Sequence, residues 1–114
     1  MFCNYEKILR KGFNGIREEI LFNRKECAES YSSFNRKERL EWYDAALMCV
    51  DAVIAHAQKF SDLAAKKAEE ESDPVRAEEL REISRICAKV PANPAETWHE
   101  ALQSVWFTHM CTML

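Results

Sequence analysis

The chain has 114 residues, of which 47% are hydrophobic and 31% charged, with a net charge of −3. That length allows one modest core burying roughly two-thirds of the unfolded chain's surface, and the composition excludes a disordered segment or a strongly basic nucleic-acid-binding domain. Cys3, Cys27, Cys49, Cys87 and Cys111 lack C-x-x-C spacing and are odd in number. They fit reduced thiols in a cytoplasm better than a disulfide framework. No secretory pattern or run of ~18 apolar residues appears, so the expectation is a cytoplasmic protein without nucleic-acid or membrane partners.

Two glycines, three prolines and few alternating β-branched runs predict helices throughout. The first runs roughly from Asn4 to Tyr31, its stripe made by Tyr5, Ile8, Leu9, Phe13, Ile16, Ile20 and Cys27. Gly12 and Gly15 inside it each cost about 1 kcal/mol relative to Ala, which predicts a kink or a close contact. Ser32-Ser33-Phe34-Asn35 forms a break, and Asn35 with Glu38 suits a reciprocal N-terminal cap.

The second helix is long. Tyr43, Ala46, Leu47, Val50, Val53, Ile54, Ala57, Phe60 and Ala64 recur at i, i+3, i+4, i+7 spacing, and the polar tail from Lys66 to Glu71 is expected to project into water. Asp73-Pro74 restarts the chain, because Asp73 can cap free amides and Pro74 sacrifices no hydrogen bond at a first helical position. Leu80, Ile83, Ile86, Cys87 and Val90 make the third stripe, and Pro91 and Pro94 end it. Thr97-Trp98-His99-Glu100 reads as a capping box opening a fourth helix that buries Trp98, Ala101, Leu102, Val105, Trp106 and Met113. From Val105 to Leu114 the sequence is apolar and aromatic without a stop signal, as if cut from a larger core, and this helix is expected to invite self-association.

The architecture expected is therefore all-α. Residues 1–114 form a single segment of three or four helices packed as antiparallel hairpins, with the second helix as organiser. Repeats and linkers are absent.

Candidate chemistry is thin. His56, His99 and His109 with the cysteines could ligate zinc, but His109 and Cys111 point to different helix faces, and Cys49 and His56 share a face only if further ligands come from elsewhere. Cys49 and Cys87 read as small core hydrophobes and Cys3 or Cys27 as the more exposed thiols. Glu69-Glu70-Glu71 with Asp73 lacks the turn glycine of a calcium loop and reads as a solvated helix end. Trp98, Trp106 and Phe107 at helical spacing read as packing, and Arg36-Lys37-Glu38-Arg39 as a solvated face.

Between Lys89 and Phe107 a Pro-punctuated turn joins an aromatic-rich helix in the order Lys-Val-Pro-Ala-Asn-Pro-Ala-Glu-Thr-Trp-His-Glu-Ala-Leu-Gln-Ser-Val-Trp-Phe. With Ala45-Ala46, Asp51-Ala52-Val53-Ile54, Ala68-Glu69-Glu70-Glu71, Asp73-Pro74, Glu79-Leu80, Ile83-Ser84 and Ile86-Cys87, and more loosely Tyr5 to Leu9 with Gly12 and Gly15-Ile16, this resembles the glycyl radical enzymes, the pyruvate formate-lyase-like family. The resemblance implies a fragment of a larger α/β-barrel domain, a helical stretch of its N-terminal portion outside the catalytic centre.

The family implied breaks C–C, C–O or C–N bonds with a protein radical, installed by a separate radical S-adenosylmethionine activating enzyme on a Gly near the C-terminus and relayed through a Cys in a mid-chain loop. That Gly follows Arg and Val and precedes an aromatic; that Cys typically adjoins a Gly. Gly12 and Gly15 stand in the wrong context, and Gly precedes none of the five cysteines. No catalytic, cofactor-binding or metal-binding residue is therefore assigned, and no cofactor is expected in this chain. The expected reading is a lyase or dehydratase fragment, inactive alone, whose partner is the remainder of the enzyme or a second copy in a homo-oligomer formed through the C-terminal helix. The alternative is a free-standing helical interaction module without catalysis.

Overall fold

The computed structural model describes residues 3–30 and 35–113. These form four helices, α1 (Tyr5–Glu29), α2 (Arg36–Glu70), α3 (Pro74–Lys89) and α4 (Trp98–Met113), with no strand among the described residues. The break at residues 32–34, the end of the first stripe at Tyr31, and Leu114 lie outside the described residues.

Helix α2 is the spine, and its 35 residues rise about 52 Å at 1.5 Å each. The molecule measures 62 × 24 × 23 Å and its radius of gyration is 17.4 Å, against about 13 Å for a compact domain of this length. An elongated slab has less interior per residue than a ball. This is why half-buried side chains dominate the predicted stripe of α1, where of the apolar side chains only Ile8 is buried.

Small residues make the α2–α3 seam. Ser61 Oγ donates to the Ser84 carbonyl at 2.7 Å and Ser84 Oγ donates to the Ser61 carbonyl at 2.8 Å, a reciprocal pair that fixes the antiparallel register. In that register Ala68 is level with Ala77, and both are buried. The seam therefore corrects two expectations. The tail of α2 lies against α3 through Ala68 rather than standing free, and Ser61, not Phe60, is the buried position, Phe60 remaining 40% exposed while its ring leans on Phe107 at 5.6 Å.

Helices α1 and α2 also run antiparallel, with exposed ion pairs from Arg24 to Asp44 at 2.7 Å and Arg17 to Asp51 at 3.0 Å along their shared edge. Such pairs set register more than stability. The Asn35 cap differs from expectation, because Asn35 adopts φ 57° and makes no side-chain capping bond. An N-cap side chain reaches the next turn's amides from extended backbone, and the left-handed conformation turns it away. Asp73 does cap α3, accepting from the Val75 amide at 3.1 Å with Pro74 opening the helix.

Candidate functional site

Helix α1 bends at Gly12, which has φ 66° and ψ 169°, a region essentially reserved for glycine. The bend frees two amides. Phe13 N–H donates to the Pro91 carbonyl and Asn14 N–H to the Ala92 carbonyl, each at 2.8 Å, while Ala95 N–H donates to the Leu9 carbonyl at 3.2 Å. A Cβ on Gly12 would sit 2.5 Å from the Ala92 oxygen and 2.6 Å from the Asn93 carbonyl carbon. The expected kink and the expected close contact are thus one feature. Gly15 has no comparable neighbour outside its own helix.

The same bend lets Lys7 and Lys11 share the Glu19 carboxylate at 2.9 and 3.2 Å. Residues 7 and 19 would be about 18 Å apart along a straight helix, too far for one ion pair.

The loop clamped by Gly12 contains a cis Val90–Pro91 bond, and Val90, Pro91 and Ala92 are all buried. It leads into the predicted capping box: Glu100 N–H donates to Thr97 Oγ1 at 3.2 Å, and Thr97 N–H donates to Glu100 Oε2 at 3.3 Å. Sequence reasoning found the box but not its depth. Glu100 is only 1% exposed. Its carboxylate also accepts from the Glu96 amide at 2.8 Å, pairs with Lys89 at 3.1 Å and has Arg85 at 3.6 Å. The Glu96 amide above all, then Lys89 and the Thr97 amide, hold this carboxyl below the usual range against the opposing effect of burial. Lys89 is pushed up in turn by Glu96 and Glu100.

An inward Glu100 sets the rotation of α4, because residues at i+4, i+7 and i+8 share its side. Those are Ser104, Phe107 and Thr108, all buried. The expected face is corrected accordingly: Trp98, Leu102, Trp106 and Met113 are 78, 51, 59 and 73% exposed. The Glu100 carboxylate, held by the Glu96 and Thr97 amides and by Lys89 with Arg85 nearby, turns this side of α4 inward.

The candidate ligands are dispersed. An open groove of about 850 Å³ runs along α3 to His99, lined by Val75, Glu79, Glu82 and Ile83. A smaller hollow of about 380 Å³ brings Cys49, His56 and Cys111 together with Ala52 and Val53. His56 Nε2 is buried there without a hydrogen-bond partner among the described residues, its ring edge-on to Phe60. No group of three or more His, Cys, Asp or Glu among the described residues is placed to hold a metal ion. Cys49 is exposed rather than in the core, Cys87 is buried as expected, and Cys3 and Cys27 are half-buried. Burial pushes the Cys87 and Cys111 thiols up, the reverse of what an activated thiol needs.

Gly12 is closed in by backbone on its Cβ side and Gly15 lies within a helix.

Comparison with known proteins places this arrangement. All of residues 1–114 match the family described as pyruvate formate lyase-like. The isethionate sulfite-lyase of Nitratidesulfovibrio vulgaris is 40% identical over 107 residues, which is 94% of this chain and 13% of the relative. The trans-4-hydroxy-L-proline dehydratase of Clostridioides difficile is 32% identical over 92% of this chain and 13% of its own length. Among solved structures, one described for 1,2-propanediol dehydration in Roseburia inulinivorans superposes with a TM-score of 0.91 at 33% identity over 96% of this chain and 14% of that chain. A glycyl radical enzyme from Archaeoglobus fulgidus superposes at 0.85 with 39% identity over 95% of this chain and 14% of its own. The chain thus spans about 13% of the length of the curated relatives it matches. It belongs to the pyruvate formate lyase-like family of glycyl radical enzymes.

Proposed function

We propose that this chain is a helical scaffold segment of a glycyl radical lyase or dehydratase, inert by itself and functional only with the remainder of such an enzyme. The observation that carries the reading is the pairing of near-complete coverage of this chain with 13% coverage of its relative. The residues agree: neither glycine suits radical storage, no thiol has a flanking Gly, and burial pushes the Cys87 and Cys111 thiols up. What the chain contributes is shape. The Gly12 clamp and the Glu100 anchor hold α4 at a fixed rotation against α1–α3. Five cysteines without C-x-x-C spacing support work in a reducing compartment.

The test is anaerobic incubation of the purified chain with a radical S-adenosylmethionine activating enzyme of the family. We expect no glycyl radical doublet by electron paramagnetic resonance and no turnover of isethionate, hydroxyproline or diols. A doublet assigned to Gly12 or Gly15 by isotope labelling, or turnover of any of these compounds, overturns the proposal.

A further inference from the structure

The loop between α3 and α4 is gripped from both sides of the bend in α1. Ahead of Gly12 the Leu9 carbonyl accepts from the Ala95 amide, and behind it the Phe13 and Asn14 amides donate to the Pro91 and Ala92 carbonyls. The Asn14 side-chain amide adds a bond to Asn93 Oδ1 at 3.3 Å. Asn93 in turn donates from its backbone and side-chain amides to the Lys89 carbonyl, at 2.9 and 3.1 Å. Lys89 Nζ then pairs with Glu96 at 3.0 Å and with buried Glu100 at 3.1 Å. A continuous run of polar contacts therefore leads from the first turns of α1 to the root of α4. Little else holds α4. Its packing on the other three helices is sparse beside the α2–α3 seam, and of its buried residues Glu100, Ser104, Phe107 and Thr108 only Phe107 is a large apolar group.

We propose that residues 5–11 are a strap for α4: lifting them from the 90–97 loop undocks α4, and strap and helix leave as one cooperative unit while α2 and α3 stay paired. Part of a fold opens with the rest intact where buried apolar contacts are few. The strap meets that condition. Ile8 is its one buried residue, and the ion pairs from Lys7 and Lys11 to Glu19 that close the bend are exposed, so they hold it weakly. The seam does not meet it, having the reciprocal Ser61–Ser84 bonds and buried Ala64, Ala68, Ala77 and Leu80. Coupling between two sites is reciprocal, so a change at Glu100 must reach the Phe13 and Asn14 amides some eighty positions earlier. This device belongs to the chain itself and needs no radical chemistry.

Native-state hydrogen exchange of the whole chain, followed by NMR at low urea concentrations, tests the strap. The Phe13 and Asn14 amides report it, because each is bonded to the loop. Ser104, Phe107 and Thr108 report α4, and Ala64 and Ala77 report the seam. We expect strap and α4 amides to share one urea dependence and protection within about twofold, at least tenfold below that of the seam. Glu100→Gln should lower strap and α4 protection together, by at least fivefold in each, and Gly12→Ala should do the same from the other end. A Glu100→Gln chain in which α4 loosens while Phe13 and Asn14 keep their protection overturns the proposal. So does a parent chain whose strap, α4 and seam amides all exchange with one urea dependence. Because the parent measurement needs no variant, failure of either substitution to fold leaves the comparison of strap, α4 and seam decisive.

Discussion

Replacing Gly12 by Ala tests the junction on which the placement of α4 depends. The new methyl would lie 2.5–2.7 Å from three backbone atoms of Ala92 and Asn93, so relief requires moving the loop rather than turning a side chain. Holding a non-glycine residue in this region of backbone space costs about 1–3 kcal/mol. Shifting the loop also weakens the Phe13–Pro91 and Asn14–Ala92 hydrogen bonds, each contributing about 1 kcal/mol. The expected loss is about 3–5 kcal/mol, a large share of the ~5–15 kcal/mol that holds a typical domain folded. At roughly 4 °C per kcal/mol for a domain of this size, the melting temperature falls by ~12–20 °C. Urea unfolding of the two proteins, followed by circular dichroism at 222 nm, gives the difference directly. A Gly12→Ala protein within ~1 kcal/mol of the parent, with unchanged dependence on urea, would show that the loop yields freely and that the clamp is not what fixes α4.

Further outcomes follow from the same packing. Phe107→Ala, at a side chain 2% exposed, should cost about 3–5 kcal/mol in the isolated chain, whereas Trp106→Ala, at 59% exposed, should change stability by less than ~1 kcal/mol; equal losses would mean that α4 is rotated otherwise. Ser61→Ala removes one of the reciprocal hydroxyl bonds to Ser84 and should cost about 1 kcal/mol, while Ser61→Leu forces the seam apart at about 1–3 kcal/mol; a stabilised Leu variant in chemical denaturation would contradict the close approach of α2 and α3. The folded carboxyl of Glu100 titrates below its unfolded value, so its stabilisation is fully present above the ~4.3 of an unfolded glutamate and is lost as pH falls through the folded value. Glu100→Gln should flatten that acid limb of the stability profile, and a carboxyl carbon titrating above 4.3 by NMR would refute the assignment.

Local sequence signals determined the four helices, the Asp73-Pro74 restart, the Thr97–Glu100 box and the strain at Gly12, because caps, proline and glycine act within a few residues through backbone geometry. The family resemblance was legible for a similar reason: its pieces keep their order along the chain. Which faces turn inward was decided only by tertiary structure. Hydrophobic periodicity favours the side of α4 that carries Trp98, Leu102 and Trp106 over the side that carries Glu100, Ser104 and Thr108, so the former reads as core. The choice rests on Glu100, whose partners Lys89 and the Glu96 amide lie across a loop that is itself held by Gly12, some eighty positions earlier in the chain. Ser61 and Ser84 were likewise invisible as a seam, since a hydroxyl that bonds a neighbouring helix's carbonyl looks, in sequence alone, like a solvated polar residue.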